Sequence, residues 1–313
     1  MKAIALNDYG QADDLRFLDI AAPTPTAEQV LVKIHATAVN HIDIGIAAGV
    51  FRDVFPLRFP WIPGYDFAGV IESAGAQVQG FKTGDEVYGA SLFGGTYAQY
   101  IAVNPAVIAL KPRSLDFTQA ASVPVSAETA EQVLFRHAKA QKGQTILIHG
   151  GAGAVGSYVV QMAHHAGLKV LVTASLKDKT FLEGLGADEV LNYKGEPFES
   201  IVSHVDAVID LVGGTVQERS YQVIKEGGIL VSLNQPFSEE LAAKYKIHGV
   251  FAELQPSHEG LSRIAGLIDS GALKINIGNV YPIQQAAEAW NELHGKLAST
   301  KEKKNGRIVL QIQ

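Results

Sequence analysis

The chain has 313 residues, a length that suits about two domains. Of these residues 47% are hydrophobic and 19% charged, as in an ordinary folded protein. Its formal net charge of −6 argues against a nucleic-acid partner, because nucleic-acid-binding proteins more often present a basic face. The absence of cysteine excludes disulfides, cysteine nucleophiles and thiolate metal sites. The apolar runs are too short to span a membrane, so we expect a cytoplasmic protein without a membrane partner.

The first part of the chain reads as a β domain. From Met1 to about Leu110, short alternating apolar runs are separated by Gly and Pro, which is typical of a compact domain with antiparallel strands. Three prolines crowd the loop Phe55–Gly64, which we expect to be extended and stiff. From Ser114 to Lys142 the pattern becomes helical. We place a domain boundary in that stretch.

A glycine-rich stretch, Thr145–Gly156, reads TILIHGGAGAVG and predicts a strand, a tight turn and the start of a helix. Its G-x-G-x-x-G motif places glycines where a turn, a close approach to a pyrophosphate and helix packing each require one. The same motif occurs in loops without a ligand, but here a second apolar strand, Lys169–Thr173, follows at the distance of a βαβ unit. We therefore predict a dinucleotide site formed by the turn and the first helical N–H groups, with Gly151, Gly153, Ala154 and Val155.

Beyond that unit, apolar strands continue to alternate with helices. This texture predicts a doubly wound parallel sheet covered on both faces, with strands at Glu189–Leu191, Asp206–Gly214, Ile229–Asn234 and Gly249–Ala252. Two helices and a last strand, Arg307–Ile312, then follow. Because they are distinct from the sheet series, they indicate that the C-terminus returns to complete the first domain.

This order of parts, together with GDEVYG at Gly84–Gly89 and LGADEVLNY at Leu185–Tyr193, resembles the medium-chain dehydrogenase/reductase superfamily. Within it, the chain is most similar to the zinc-free quinone oxidoreductase branch, over essentially its full length. The resemblance implies an α/β fold with a Rossmann NADPH-binding domain at residues 121–253. It also implies a GroES-like, β-rich catalytic domain at residues 1–120 that residues 254–313 complete, and a homodimer.

The residues at the superfamily's metal positions do not suit zinc. Zinc-dependent alcohol dehydrogenases of this superfamily bind the catalytic metal through an early cysteine and the histidine of a G-H-E motif. Here Asn40 and Tyr65 match those positions, and an amide and a phenol are poor substitutes for thiolate and imidazole. A site built from His35, His41 and Asp43 has no metal-binding precedent in its spacing. We therefore predict no bound metal.

Without a Lewis acid, interconversion of simple alcohols and ketones is difficult. A quinone or an α,β-unsaturated carbonyl is an easier acceptor, since the negative charge is delocalised as a hydroquinone anion or enolate. The resemblance places Asn40 and Asp43 beside the nicotinamide, with Asp43 as an acceptor that positions the Asn40 loop. Tyr65 either donates a hydrogen bond to the acceptor's carbonyl oxygen or only packs under the proline-rich loop. The branch often has a tyrosine where this chain has Ile44 and Gly45, which weakens the expectation of small quinones.

The choice of cofactor depends on the end of the second Rossmann strand, where an NAD enzyme has an acidic residue. Here Ser175 and Lys177 follow the strand, and a hydroxyl with a lysine suits the 2′-phosphate of NADPH. Asp178 argues against NADPH, because it is an acidic residue near the end of this strand. An acid in the first turn of a helix, however, also has a capping role.

The resemblance implies that Tyr193 lies against that phosphate and that Thr129 contacts the nicotinamide. Thr129 alternatively has only a structural role at a helix start. Apolar strand ends complete the groove at Val212, Leu233 and Phe251. The prediction is an enzyme, an NADPH-dependent reductase of quinones or enones that needs no zinc. The alternative is an NADPH-binding protein with a structural or regulatory role and little turnover.

Overall fold

The computed structural model describes residues 1–295 and 305–312. The chain forms two compact units, one from Met1–Val125 together with the chain from Pro256 onward, the other from Ser126–Gln255. The first boundary lies in the first turn of a helix that begins at Pro124, where a proline fits because that position needs no N–H donor.

The strands of the described residues are, in chain order, β1 (Lys2–Ala5), β2 (Arg16–Asp19), β3 (Val30–Ala38), β4 (Asp66–Ala74), β5 (Glu86–Ala90), β6 (Tyr100–Val103), β7 (Ile108–Leu110), β8 (Thr145–His149), β9 (Lys169–Ala174), β10 (Glu189–Asn192), β11 (Val205–Asp210), β12 (Ile224–Ser232), β13 (His248–Phe251), β14 (Ile277–Pro282) and β15 (Arg307–Gln311).

The α-helices are α1 (His41–Ala47), α2 (Phe117–Ala121), α3 (Pro124–Glu131), α4 (Ala154–His165), α5 (Lys179–Gly184), α6 (Phe198–Ile201), α7 (Thr215–Ser220), α8 (Glu239–Tyr245), α9 (His258–Asp269) and α10 (Ala286–Leu293). No helix among the described residues is long and apolar enough to cross a membrane.

The unit Ser126–Gln255 is built on a parallel sheet. Its strand order is β10-β9-β8-β11-β12-β13, the order of a Rossmann fold in which the chain reverses direction across the sheet after its third strand. The central strands are apolar on both faces, since Ile146, Leu147 and Ile148 are all fully buried. Most of α4 is buried, Val159 and Val160 included. The predicted doubly wound sheet is confirmed.

The other unit contains a seven-stranded sheet, with the strand order β14-β15-β3-β4-β5-β7 and β6 paired to β3. All its pairs are antiparallel except β14 with β15. β15 lies between β14 and β3, so the predicted return of the C-terminus to the β-rich unit is confirmed. The core of this unit includes fully buried Trp290 from α10 beside Tyr97 and Phe67. Loss of a buried ring of this kind typically destabilises a protein by about 3–5 kcal/mol.

The sequence pattern did not predict α1. Ile42, Ile44 and Ile46 alternate along the chain as in a strand, and the stretch directly follows β3. The backbone N–H of Asn40 donates to Oδ2 of Asp43 at 2.8 Å, half of a capping box that favours a helix start over continued strand. α1 therefore places Asn40 at its N-cap and Asp43 in its first turn.

Candidate active site

The dinucleotide turn of the Ser126–Gln255 unit follows β8. Gly150 has a φ of +79°, a left-handed conformation that favours glycine, so the residue that reverses the chain directly precedes the G-x-G-x-x-G motif. A Cβ at Gly151 would lie 2.2 Å from Cγ1 of Val172, which keeps the turn against β9. A Cβ at Gly156 would lie 2.4 Å from the carbonyl oxygen of Gly150, so α4 can approach the turn only with glycine there.

Gly153, the N-cap of α4, differs from those two glycines. A Cβ there would meet only the carbonyl oxygen of Gly150, at 3.2 Å, a tight contact but a longer one than those at Gly151 and Gly156. The first intrahelical bond runs from the N–H of Ser157 to the carbonyl oxygen of Gly153 at 3.0 Å. The N–H groups of Ala154 and Val155 therefore lie in the first turn, where an α-helix leaves donors for an anion. This turn fits the pyrophosphate of a dinucleotide.

The predicted groups for the 2′-phosphate lie at the ends of two neighbouring strands. Ser175 directly follows β9, and Lys177 is exposed in a 3-10 turn, Leu176–Asp178. The N–H of Tyr193 donates to the carbonyl oxygen of Ala174 at 3.2 Å, which holds Tyr193 beside the end of β9 with 64% of its surface exposed. Asp178 is buried, so its carboxylate is far less exposed than Lys177.

The predicted apolar positions also follow strand ends. Val212 follows β11, Leu233 follows β12, and Phe251 is the last residue of β13. Val212 and Phe251 are exposed, and the N–H of Val212 donates to Oδ1 of buried Asp210 at 3.0 Å. With the turn, Ser175 and Tyr193, these residues follow the carboxyl ends of one parallel sheet, where open α/β sheets bind ligands. Thr129 is buried near the end of α3, away from these strand ends in the chain.

Sequence reasoning missed His149, the last residue of β8. Its Nδ1 lies 2.8 Å from Oγ1 of Thr173 on β9, and its Nε2 lies 2.9 Å from Oγ of Ser220 on α7. Oγ of Ser220 donates to the carbonyl oxygen of Val216, so Nε2 is the donor and Nδ1 the acceptor of a neutral ring. Burial lowers the pKa of His149 to about 4, against an opposing effect of Asp210. The ring thus ties two strand ends to a helix beside the glycine turn.

The predicted catalytic positions of the β-rich unit belong to a buried polar cluster. Nδ2 of Asn40 donates to Oδ2 of Asp66 at 2.9 Å, and the Arg307 guanidinium donates to Oδ1 of Asn40 at 2.8 Å. The same guanidinium pairs with Oδ2 of Asp66 at 2.7 Å, with the carboxylate fully buried. The backbone N–H of Val125 donates to the other oxygen of Asp66 at 2.6 Å. Both functional atoms of the Asn40 amide are therefore engaged.

Asp43 joins the cluster through one oxygen. Its Oδ2 accepts the N–H of Asn40 and, at 3.1 Å, the hydroxyl of Tyr97, which in turn accepts Nε1–H of Trp290 at 3.1 Å. Its Oδ1 is buried without a hydrogen-bond partner among the described residues. Burial raises the pKa of Asp43 to about 8, opposed first by the hydrogen bond from Asn40. At neutral pH this carboxyl therefore holds a proton, placed on Oδ1 because Oδ2 accepts two bonds.

Burial also raises the pKa of Asp66, but the charge of Arg307 and three hydrogen-bond donors oppose this rise. The cluster thus contains two carboxyls and one guanidinium, and Asp66 is the carboxyl that faces the cation directly. The proton on Asp43 and the ion pair at Asp66 leave the cluster electrically neutral. A neutral cluster is the arrangement that burial favours.

Tyr65 directly precedes β4 and is buried, with 7% of its surface exposed. Its hydroxyl has no hydrogen-bond partner in the part of the chain that the structure describes. Burial raises the pKa of the Tyr65 phenol, and Asp43, once ionised at high pH, raises it further, so the phenol stays protonated at neutral pH. Tyr65 is therefore a buried donor without an acceptor, and it also packs in the apolar core of its unit.

The cluster does not fit zinc. Asn40 and Asp66 are both bonded to Arg307, and a guanidinium within the ligand positions repels a divalent cation. Tyr65 offers a protonated phenol in place of imidazole. Among residues 1–295 and 305–312 no group of three or more His, Asp or Glu side chains is placed to hold a metal ion.

Asp66 and Arg307 are the functional residues that the sequence did not single out. The sequence contained only weak indications of them. Asp66 is the last residue of Gly-Tyr-Asp, which stands where the zinc enzymes have G-H-E, and Arg307 is a cation at the first position of an apolar strand. The two are 241 positions apart, so only the register of β15 brings them together.

A Rossmann sheet with this glycine turn, in a chain that also folds a β-rich unit completed by its C-terminus, defines a two-domain pyridine-nucleotide dehydrogenase. Residues 26–113 match the family model of the alcohol dehydrogenase GroES-like domain, and residues 185–309 match that of the zinc-binding dehydrogenase. The chain belongs to the medium-chain dehydrogenase/reductase superfamily, in its quinone oxidoreductase-like branch.

Three similar proteins illustrate the branch. A 2-methylene-furan-3-one reductase of Solanum lycopersicum is 42% identical over 245 residues, which is 74% of this chain and 62% of the relative. A chloroplastic NADPH-dependent alkenal/one oxidoreductase of Arabidopsis thaliana is 34% identical over 96% of this chain and 78% of its own. The solved quinone oxidoreductase of Coxiella burnetii is 32% identical, with a TM-score of 0.90 over 100% of this chain and 99% of its own.

Proposed function

We propose that this protein is an NADPH-dependent, zinc-independent reductase of quinones or α,β-unsaturated carbonyls. The observation that carries the proposal is the cluster of Asn40, Asp66 and Arg307, with Asn40 at one of the superfamily's metal positions and Tyr65 at another. The Tyr65 hydroxyl has no acceptor among the described residues. The similar proteins support it, since their names include quinone, alkenal/one and furanone reduction. The resemblance to the branch also makes a homodimer part of the proposal, and a cytoplasmic location, expected from the sequence, is part of it as well.

NADPH is the proposed cofactor. Exposed Lys177, half-buried Ser175 and exposed Tyr193 offer a cation, a hydroxyl and a phenol close in the chain to, or hydrogen-bonded to, the end of β9, a set that suits the 2′-phosphate. Burial of Asp178 removes the carboxylate that would favour NADH there. Among the similar proteins, the Arabidopsis thaliana oxidoreductase is named as NADPH-dependent.

In this proposal the bound dinucleotide supplies a hydride from its nicotinamide ring. The protein's own part is to bind the acceptor and stabilise the charge that develops on the carbonyl oxygen. A hydrogen bond from Tyr65 to that oxygen supplies a donor whose phenol is protonated at neutral pH. A conjugated acceptor needs no more than one or two such donors, since its π system shares the charge.

In this proposal Asn40 and Asp43 are positioning residues. The Asn40 amide is bonded to Asp66 and Arg307, so it stays in one orientation at the N-cap of α1. Asp43 holds the loop through the Asn40 N–H and the Tyr97 hydroxyl. Thr129 is proposed to contact the nicotinamide, as in the branch.

The test is the rate of NADPH consumption, followed by absorbance, with a panel of quinones, enals, enones and matched saturated ketones. We expect turnover of the conjugated acceptors and none of the saturated ketones, unchanged after dialysis against a strong metal chelator. If NADPH raises the melting temperature but no acceptor accelerates its oxidation, the protein is instead a nucleotide-binding protein with little turnover. A rate abolished by the chelator and restored by zinc would contradict zinc independence.

A further inference from the structure

Four buried polar side chains form one row across the parallel sheet. Thr173, His149, Asp210 and Ser232 are neighbours in the registers of β9, β8, β11 and β12, in that order. All four are at most 6% exposed. The preceding row along the same strands is apolar and fully buried: Val172, Ile148, Ile209 and Val231. We refer to Thr173, His149, Asp210 and Ser232 as the polar row.

The polar row lies at the carboxyl edge of the sheet. His149, Asp210 and Ser232 are the last residues of their strands. Apolar side chains of the same shape would be about as stable there, because replacing both partners of a buried hydrogen bond by apolar groups costs little. Stability alone therefore does not explain why this row is polar. The edge is also where open α/β sheets bind their ligands.

His149 is a member of the polar row that joins two strands. Its Nδ1 accepts the hydroxyl of Thr173 at 2.8 Å, and its Nε2–H donates to Oγ of Ser220 at 2.9 Å. The ring of Phe198 meets the imidazole edge-on at a centroid distance of 4.7 Å. Two hydrogen bonds and an aromatic contact thus hold the imidazole in one orientation.

The bond between His149 and Thr173 lies between two parts of the proposed dinucleotide site. Gly150, which reverses the chain at the pyrophosphate turn, directly follows His149. Thr173 lies two residues before Ser175 and four before Lys177, the groups proposed for the 2′-phosphate. The register of β8 with β9 ends at His149 and Thr173. The side-chain bond is therefore made where the two strands separate toward different phosphates.

We propose that His149 is a positioning residue for the dinucleotide, and that its bond to Thr173 determines part of the preference for NADPH over NADH. This inference rests on the proposed function and its cofactor. With the bond in place, the pyrophosphate turn and the 2′-phosphate groups keep one separation, and a preorganised site loses less free energy on binding. NADH has no 2′-phosphate, so its affinity depends less on that separation.

The test measures the Kd values of NADPH and NADH by fluorescence titration, with thermal melting as the check on folding. Thr173→Val removes the donor to Nδ1 and keeps a β-branched side chain on β9. It should lower the NADPH-to-NADH preference about fivefold, through weaker NADPH binding. Ser220→Ala removes the other hydrogen-bond partner of the same ring and is the matched control. It should keep the preference within about twofold, since α7 carries none of the groups proposed for the 2′-phosphate.

Substitutions of His149 separate the hydrogen bond from the shape of the ring. His149→Leu removes the acceptor and should lower the preference as much as Thr173→Val. His149→Asn places an amide oxygen on Cγ, where histidine has Nδ1, so it can accept the Thr173 hydroxyl and should restore the preference. The double variant His149→Leu, Thr173→Val should show the loss of either single variant and no more, because all three lack the same bond.

An unchanged preference in Thr173→Val and His149→Leu would overturn the inference and leave NADPH as the cofactor. Equal weakening of both dinucleotides, additive losses in the double variant, or the same loss in Ser220→Ala would also overturn it, since the ring would then only support the fold. If His149→Leu does not fold, Thr173→Val and Ser220→Ala decide. If the unsubstituted protein binds NADPH no better than NADH, the proposed cofactor is wrong and the inference with it. The titrations contain no acceptor, so a lack of reductase activity is a separate result.

Discussion

The hydroxyl of Tyr65 has two alternative explanations, chemistry or packing, and one substitution separates them. It is buried without an acceptor among the residues described. An unpaired buried hydroxyl costs stability, and a role in function would explain why it is present. Tyr88 offers a matched case, since its buried hydroxyl donates to the carbonyl oxygen of Leu261 at 2.6 Å. The two tyrosines are therefore expected to respond in opposite ways to loss of the hydroxyl.

Tyr65→Phe should lower kcat/KM for an enone about 100-fold, the effect of removing one donor from a developing oxyanion. Its melting temperature should be unchanged or slightly higher, because no hydrogen bond is lost. Tyr88→Phe should lower the melting temperature and leave kcat/KM unchanged. Steady-state kinetics and thermal melting of both variants check this. Full activity in Tyr65→Phe would leave packing as the residue's role.

The raised pKa of Asp43 predicts how the stability of the protein depends on pH. Burial raises the pKa of this carboxyl from its ordinary value of 3.8 to about 8, so the folded state binds a proton that the unfolded state releases above pH 4. Stability from this proton is fully present below pH 4 and is lost as the pH rises through 8. Asparagine imitates the protonated form, with its oxygen accepting both bonds and its NH₂ in place of Oδ1–H.

We therefore expect Asp43→Asn to melt close to the unsubstituted protein at pH 4 and at a higher temperature than it at pH 9, because the unsubstituted protein loses stability between these values. Asp53→Asn, at an exposed position, should follow the unsubstituted protein at both values. Thermal melting across this pH range is the measurement. Parallel curves for Asp43→Asn and the unsubstituted protein would show that Asp43 is ionised throughout.

The cluster also shows how far residue-level prediction from the sequence extends. Asn40, Asp43 and Tyr65 could be selected from their match to the superfamily's motifs. The ion pair could not, because 241 positions separate Asp66 from Arg307 and local patterns carry no information on the register of β15. A lone cation in an apolar strand indicates a buried partner but does not name it.

Among the elements, the βαβ unit was the most predictable. The apolar runs of β8 and β9 and the glycine spacing between them together indicate a strand, a turn and a helix, and the structure has both strands at the predicted positions. What the spacing did not show is that Gly150 is the left-handed residue of the turn. α1 was missed because alternating isoleucines look like a strand, and its capping bond depends on side-chain geometry.

The glycine turn supports a matched pair of substitutions. Gly153→Ala places its Cβ 3.2 Å from the carbonyl oxygen of Gly150 at an allowed φ of −76°, a tight contact that a small backbone shift relieves, so the melting temperature should fall less than in Gly156→Ala. NADPH binding should weaken about tenfold or more, because the methyl group occupies the path of the pyrophosphate. Gly156→Ala places its Cβ 2.4 Å from a backbone oxygen and should lower the melting temperature by several degrees.

Calorimetric titration with NADPH and thermal melting separate the two effects. Tight binding by Gly153→Ala would place the pyrophosphate elsewhere.

The end of β9 predicts cofactor preference. Lys177→Ala should weaken NADPH binding about tenfold and leave NADH binding unchanged, since only NADPH carries the 2′-phosphate. Lys179→Ala, which removes a lysine whose Nζ lies 3.7 Å from Glu183, is the matched control and should alter neither. Fluorescence titrations with both dinucleotides provide the measurement. An unchanged NADPH-to-NADH preference in Lys177→Ala would remove this lysine from the phosphate site.

At the scale of the whole molecule, one chain builds two units with different sheets, and its last strand completes the first of them. The order of β domain, Rossmann domain and return was readable from the texture of the sequence, because parallel strands are continuously apolar and antiparallel ones alternate. The insertion of β15 between β14 and β3 was not readable, because it depends on pairing between residues from opposite ends of the chain. That insertion brings Arg307 to Asn40 and Asp66.

Isotope transfer is a direct test of hydride transfer to a conjugated carbon. The protein is given an α,β-unsaturated ketone and NADPH that carries deuterium at C4 of the nicotinamide, on each face in turn, and the product is examined by NMR. We expect one of the two labels to appear on the β-carbon of the saturated ketone. Deuterium on the carbonyl carbon of an allylic alcohol, or consumption of NADPH without labelled product from either form, would contradict it.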